Sequence, residues 1–291
     1  MHHMKGSRLR KLSPYLYVAP ALVLAFLFSY RPFFLTLLDS LSHVSLDGRI
    51  LRFVGLSNYR ALVASESFQD SWRNTLTFTG LFVPINLVVT LALAFATHYE
   101  SRTAKVSKIA LMLPMAVAMS SAVMVFKTLF DENLGLFNRI IGERIPWFTN
   151  GTAAMGMLVI SGIWLDIGFD FLLFSSSLSN IPKDLEEVAD LEGASFFQRL
   201  GYLEFPMIAP TLVFVLANNL KDAMLISAPV MILTEGGPYR STQTLVYQMY
   251  LEGFKGGNIA LGSAIATVVF LITFLLLLVI LAIQRRKVFY Q

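Results

Sequence analysis

The 291-residue chain has no cysteine, and only 14% of its residues are charged. The first absence excludes disulfide frameworks, thiolate metal sites and cysteine nucleophiles. An ordinary soluble domain carries roughly 25% charged residues, so 14% alongside a 55% hydrophobic content excludes a water-exposed globule. No Gly-x-x-x-x-Gly-Lys-Ser/Thr phosphate loop occurs, so the chain has no site of its own for ATP hydrolysis. No internal repeat with a period of roughly 20 to 50 residues is visible. The net charge is a modest +4 and the basic residues gather at the ends of apolar runs. That pattern is membrane topology; nucleic acid would call for a continuous basic stripe with interleaved aromatics. His2 and His3 are adjacent, but a pair of histidines at a terminus makes no metal site, and none is expected elsewhere.

What is present in abundance is uncharged apolar sequence. Crossing a hydrocarbon core of roughly 30 Å takes about 20 mostly apolar helical residues. Six runs meet or approach this: 12–30, continuing past Arg31 and Pro32 to 38; 74–97; 109–126; 153–174, with Asp166 and Asp170 inside it; 206–233, with Lys221 and Asp222; and 261–283. The first lacks an Ala-x-Ala cleavage site and keeps large aromatics to its end, so it reads as an uncleaved span and not as a signal peptide. The fold class is therefore an all-α integral membrane protein with six transmembrane helices. Placing both termini in the cytoplasm puts Lys5, Arg8, Arg10, Lys11, Arg102, Lys105, Lys108, Lys183, Arg199, Arg285, Arg286 and Lys287 inside. The short external loops then hold only Arg139, Arg144, Arg240 and Lys255, and the long external segment adds Arg31, Arg49, Arg52, Arg60 and Arg73, so twelve basic residues inside against nine outside favour this orientation. Two parts are expected: residues 1–69, with the cytoplasmic tail, first span and an external segment, and a core domain 70–291 with five spans and a cytoplasmic loop at 180–206.

That loop breaks the topological rule. It carries Asp184, Glu186, Glu187, Asp190, Glu192 and Glu204 against Lys183 and Arg199. Local chemistry predicts a helix in which Asn180 caps the start, Pro182 occupies the first turn and the early acids meet the positive end of the dipole. Leu185, Val188 and Ala189 form an apolar stripe at helical spacing. Gly193 can take the left-handed conformation that ends the helix before 194–200 begins another, and Pro206 and Pro210 open the next span.

These residues resemble the cytoplasmic signature of the permease subunits of ABC importers: Glu-Ala-Ala, three residues, Gly, nine residues, Ile, one residue, Leu-Pro. Here it reads Glu187-Val188-Ala189, Gly193, then Leu203, Glu204, Phe205-Pro206, with complete spacing and apolar replacements only. The resemblance implies a type I importer permease fold in a bacterial cytoplasmic membrane. It also implies that Glu187, Ala189, Gly193 and Pro206 belong to a coupling helix that docks on an ATPase subunit. Thr234-Glu235-Gly236-Gly237-Pro238 with Ser241-Thr242-Gln243-Thr244-Leu245 and Tyr250 looks like the external loop of carbohydrate-uptake permeases of the maltose and glycerol-3-phosphate type. So do Phe53-Val54-Gly55-Leu56-Ser57-Asn58-Tyr59 and Leu113-Pro114, while Lys287-Val288-Phe289-Tyr290-Gln291 is similar to the close of the glycerol-3-phosphate members. The family implies as partners a second homologous permease, two ATP-binding cassette subunits that hold the ATP and magnesium, and an external solute-binding protein. No cofactor is expected in this chain.

Ionisable groups at bilayer depth cost a few kcal/mol and face a cavity or a partner. Asn218, Asn219, Lys221 and Asp222 cluster in the fifth run and are the first candidates for the substrate path; the alternative is polar adhesion between the helices of two permease subunits. Asp166 and Asp170, four apart, share a helix face. They can line a polar cavity, pair with a base across helices or relay protons; no third catalytic group accompanies them, so the chain is not read as an enzyme. Ser120 and Ser121 read as packing groups, Lys127 as a snorkelling cation, and Trp72 and Trp147 as interfacial anchors. The rival is an ion-coupled secondary transporter working through Asp166, Asp170 or Asp222, which would normally show paired repeats.

Overall fold

The computed structural model describes residues 17–98 and 102–287; the basic cluster Lys5 to Lys11 and the closing residues 288–291 lie outside the described residues. The chain divides into two compact units, Met1–Leu62 with Met249–Val268, and Val63–Gln248 with Val269–Gln291. In the first, helix α1 (Tyr17–Ser40) widens into a π turn at Phe26–Tyr30 just ahead of Pro32. A hairpin follows, β1 (Ser42–Val44) antiparallel to β2 (Ile50–Phe53) with Ser42 opposite Phe53. Alternation did not announce it, because every residue of β2 is exposed. The Gly-Leu-Ser-Asn-Tyr stretch then explains itself. Gly55 takes φ +57°, so the chain doubles back into helix α2 (Ser57–Ala64). There the Asn58 amide donates to the Ser40 and Ser42 carbonyls at 2.9 Å each, and the Tyr59 hydroxyl donates to Ser40 Oγ at 2.8 Å. Farther along, Gly253 and Gly262 lie backbone to backbone; a Cβ on Gly262 would stand 2.8 Å from the Gly253 Cα.

The second unit is built on helix α3 (Glu66–His98). Next come α4 (Arg102–Met112), a 3-10 turn Leu113–Ala116, and α5 (Met119–Leu129). The third apolar run is thus no straight span: its two arms, Val106–Ala116 and Met119–Leu129, meet at 105°. Hydropathy is blind to the break because it leaves no charge; Pro114 and the extended backbone of Val117 and Ala118 make it. After the short α6 (Leu136–Ile141) comes α7 (Gly151–Ser179), started by Asn150, whose side chain accepts from the Thr152 and Ala153 N–H groups. Then follow α8 (Lys183–Leu191) and α9 (Phe196–Met224), a π turn at Val230–Thr234, α10 (Leu245–Tyr250), whose last two residues belong to the first unit, and α11 (Ile259–Lys287), which rejoins the second at Val269. The fifth run accordingly stops at Met224, not at 233. Asn180 closes the C-terminus of α7, with its N–H on the Ser176 and Ser177 carbonyls, whereas α8 starts at Pro182 without a side-chain cap. The capping role expected of Asn180 at the start of the loop helix is therefore corrected.

Small residues set the helix spacing. Gly162 on α7 lets Phe82 of α3 approach to 3.2 Å of where its Cβ would be, and Phe82 stacks on Phe78 at 5.3 Å. Gly168 receives the break in the third run: a Cβ there would meet Met115 Cγ at 2.8 Å and the Leu111 carbonyl at 3.2 Å. Below these, Ala94, Phe171, Phe174, Leu178, Ile208 and Val215 form a buried apolar cluster. Trp147 is no interfacial anchor. It is buried, edge-on to Phe130, and its indole N–H donates to Asn138 Oδ1 at 2.8 Å. Ser120, Ser121 and Lys127 are exposed on the surface of this chain. Near them, the Leu134 and Asn133 N–H groups hold the Asp131 carboxyl below the usual carboxylate range.

Gly168→Leu should remove the seat of the broken run and destabilise the protein by about 1–3 kcal/mol through overpacking. Gly156→Ala, a helical position with nothing within 4 Å, should not. Thermal melts of the two variants in detergent check the contrast.

Candidate functional site

Every candidate residue belongs to the second unit, and the structure sorts them into three places along its helices. The first is the acidic loop. Helix α8 ends in a Schellman turn: Gly193 has φ +71° and the Ala194 N–H reaches back to the Ala189 carbonyl at 2.9 Å. Ser195 and Gln198 form a reciprocal capping box that restarts the chain as α9. Arg199 folds the two helices together, with Nη1 2.6 Å from Asp190 and Nη2 3.8 Å from the buried Glu204. At the C-terminus of α3, His98 Nε2 stands 3.0 Å from Glu186 Oε1. Three of the six acids thus have structural partners, while Asp184, Glu187 and Glu192 are exposed. Beside them Leu185, Val188 and Leu191 are exposed too, Leu191 at 88%, as are Phe197 at 79% and Tyr202 at 86%. Ala189 is half-buried and Pro206 exposed at the head of the span.

The second place is the polar cluster in the spans, and here the expected group splits in two. Asn218, Lys221 and Asp222 satisfy one another on one face of α9. The Asn218 amide donates to Asp222 Oδ2 at 2.8 Å, Lys221 Nζ donates to Asn218 Oδ1 at 3.0 Å, and Nζ lies 3.1 Å from Asp222 Oδ1. Asp222 and Asp166 line one cleft of about 200 Å³ with Phe78, Phe82, Met119 and Ser227. Asn219 points elsewhere. It is wholly buried and faces Asp170 without reaching hydrogen-bond geometry. Asp170, also wholly buried, accepts from the Asn86 amide of α3 at 2.7 Å. The two aspartates therefore do different work: Asp166 faces a cavity, Asp170 joins helices.

The third place is the Gly-Gly-Pro loop. Glu235, Gly236, Tyr239 and Arg240 all have positive φ, and the Gly237-Pro238 bond is cis. A left-handed conformation costs a non-glycine residue about 1–2 kcal/mol, so such a loop must be held from outside. The first turns of α3 hold it. Asn74 donates to the Arg240 and Gln243 carbonyls at 2.6 and 3.0 Å, and Gln243 donates to Ser67 and Ser71 at 2.7 and 3.0 Å. The Leu245 N–H donates to Thr75 Oγ1 at 2.9 Å. Gly236 is required where it stands, since a Cβ would lie 2.9 Å from the Tyr247 ring.

Residues 88–288 match the family model described as binding-protein-dependent transport system inner membrane component. The chain belongs to this family. Over 282 residues, 96% of each chain, the permease is 34% identical to the sn-glycerol-3-phosphate transport system permease protein UgpA of Yersinia pestis and to that of Salmonella typhi. It is 32% identical over the same length to UgpA of Pectobacterium atrosepticum. Its fold matches a chain of a bacterial ABC transporter involved in the import of the acidic polysaccharide alginate. There the TM-score is 0.86 with 20% identity, covering 97% of this chain and 98% of that one. A chain of the alginate transporter in complex with its alginate pentasaccharide-bound periplasmic protein gives 0.85 with 19% identity and 98% coverage of both. The permease is a multi-pass inner membrane protein with the type I importer fold.

Three contributors escaped the sequence reading: Asn86, His98 and the Ser67-Ser71-Asn74-Thr75 face. Each is polar and lies in the 74–97 run or beside one of its ends, and buried polar side chains in such a run need partners. In this permease Asn86→Ala should strand Asp170 and cost about 1–3 kcal/mol. Asp222→Ala, on the half-exposed face, should stay within about 0.5 kcal/mol. Melting curves of the two purified variants decide whether the cluster is divided as described.

Proposed function

We propose that this permease is one of two membrane-spanning subunits of an ATP-driven importer that passes a sugar or polyol phosphate received from an external solute-binding protein. Its relatives are named for sn-glycerol-3-phosphate transport, which favours a polyol phosphate. ATP and magnesium are held by two separate ATPase subunits, because this chain has no phosphate loop. One observation carries the reading. Helix α8 presents an apolar ridge, Leu185, Val188 and Leu191, edged by exposed acids and fixed by a Schellman turn, a capping box and the Arg199 bridges. An exposed apolar ridge on a braced helix is a surface built for a groove. Moving an inward-open to outward-open equilibrium from 1:99 to 99:1 takes about 5.5 kcal/mol of differential interaction. A braced helix can deliver that through a groove, and a floppy loop cannot.

In this reading Glu187 meets a basic group of the ATPase, Gly193 makes the bend, Ala189 keeps the inner side of α8 narrow, and Pro206 sets the entry of α9. The cleft between Asp166 and Asp222, with Asn218 and Lys221 beside it, lines the substrate path. Asn219 and Asp170 support it from behind. Gly236, Gly237 and Pro238 shape the external surface on which the solute-binding protein docks.

The test is uptake into proteoliposomes holding the complete transporter. Uptake should require ATP and persist when ion gradients are collapsed; gradient-driven uptake without the ATPase subunits would refute the proposal. Glu187→Lys and Gly193→Val should each lower uptake at least tenfold while the protein still inserts and the ATPase still turns over. Undiminished uptake in both would count against the coupling role.

A further inference from the structure

Helix α3 meets all three places at three heights. Its first turns clamp the Gly-Gly-Pro loop, Asn86 holds Asp170, and its last residue, His98, stands 3.0 Å from Glu186 of α8. His98 is the last residue of α3, and Glu186 lies in the first turn of α8. Both side chains are mostly shielded, at 11% and 23% exposure. They sit over a cleft of about 400 Å³ shared with Lys108, Lys183, Glu187 and Asp190. Between Asn86 and His98 the helix has neither proline nor glycine, since Pro84 falls just before the stretch. That half of α3 is a stiff piece about 18 Å long at 1.5 Å per residue.

We infer that His98 is a positioning residue for energy coupling: by gripping Glu186 it fastens α8 to α3, so that displacement of α8 is carried along the stiff half of α3 to the Asn86–Asp170 contact behind the substrate cleft. The three-residue link to α7 and the Gly193 hinge to α9 give α8 covalent routes to the membrane, and the His98–Glu186 contact gives it a third. Only the third carries a push on α8 directly to α3, a helix that α8 does not adjoin in the chain. The inference rests on the proposed docking of α8 to an ATPase subunit.

The experiment uses the complete transporter in proteoliposomes and reads uptake per ATP hydrolysed together with melting temperature. His98→Ala and Glu186→Ala should each lower the uptake-to-hydrolysis ratio about fivefold, and the double variant no further, because residues acting through one contact are not additive. His98→Gln, which keeps a hydrogen-bond donor at that height, should recover more than half of the ratio, and melting temperatures should change little. Losses that multiply in the double variant would overturn the inference. So would unchanged ratios in the single variants when Glu187→Lys is uncoupled. Should Glu187→Lys itself leave the ratio intact, the docking of α8 fails and takes the inference with it.

Discussion

A polar side chain carried into hydrocarbon has to find its partner inside the protein, and α3 shows what that constraint builds. The helix has 33 residues, about 50 Å at 1.5 Å per residue, which is longer than the apolar core it crosses. Its serines and Asn74 hold the strained external loop, Asn86 holds Asp170, and His98 holds Glu186. Those contacts tie the loop, the cluster and the acidic helix to one element. The apolar packing of Phe78 and Phe82 on Gly162, and of Ala94 and Phe174 below, sets how close the helices come. The polar contacts set where they stop.

The same constraint explains the division of labour within α9. Lys221 and Asp222 form an ion pair that shares Asn218, so opposite charges meet beside the cleft. Asn219 turns to the buried side. One helix therefore borders the cleft on one face and carries a wholly buried amide on another. At its foot, Arg199 ties Asp190 of α8 to Glu204 of α9, so the cytoplasmic element enters the membrane as a braced corner.

Much of this was legible in the sequence because its causes are local. Uncharged length marks the spans, and the glycine at 193 between two amphipathic stretches marks the bend. What stayed hidden depended on distant partners or on direction. The third run kept its hydropathy through a 105° break, since Pro114 leaves no charge behind. Asn218 and Asn219 look like one group in a line of letters, yet neighbours on a helix diverge by about 100°, and only 218, 221 and 222 share a face. That signal was available. The role of His98 was not, because its partner lies 88 positions away. Trp147 misled although its partner is near in the chain, because its nitrogen is spent on Asn138 inside the fold.

The central claim is that energy enters this permease through the acidic helix and its bend. Hydrogen–deuterium exchange across residues 183–204, measured on the complete transporter and on the permease without its ATPase subunits, tests it most directly. The account predicts strong additional protection of this stretch in the assembled complex, with a further change when ATP is trapped. Identical exchange in both preparations would contradict it.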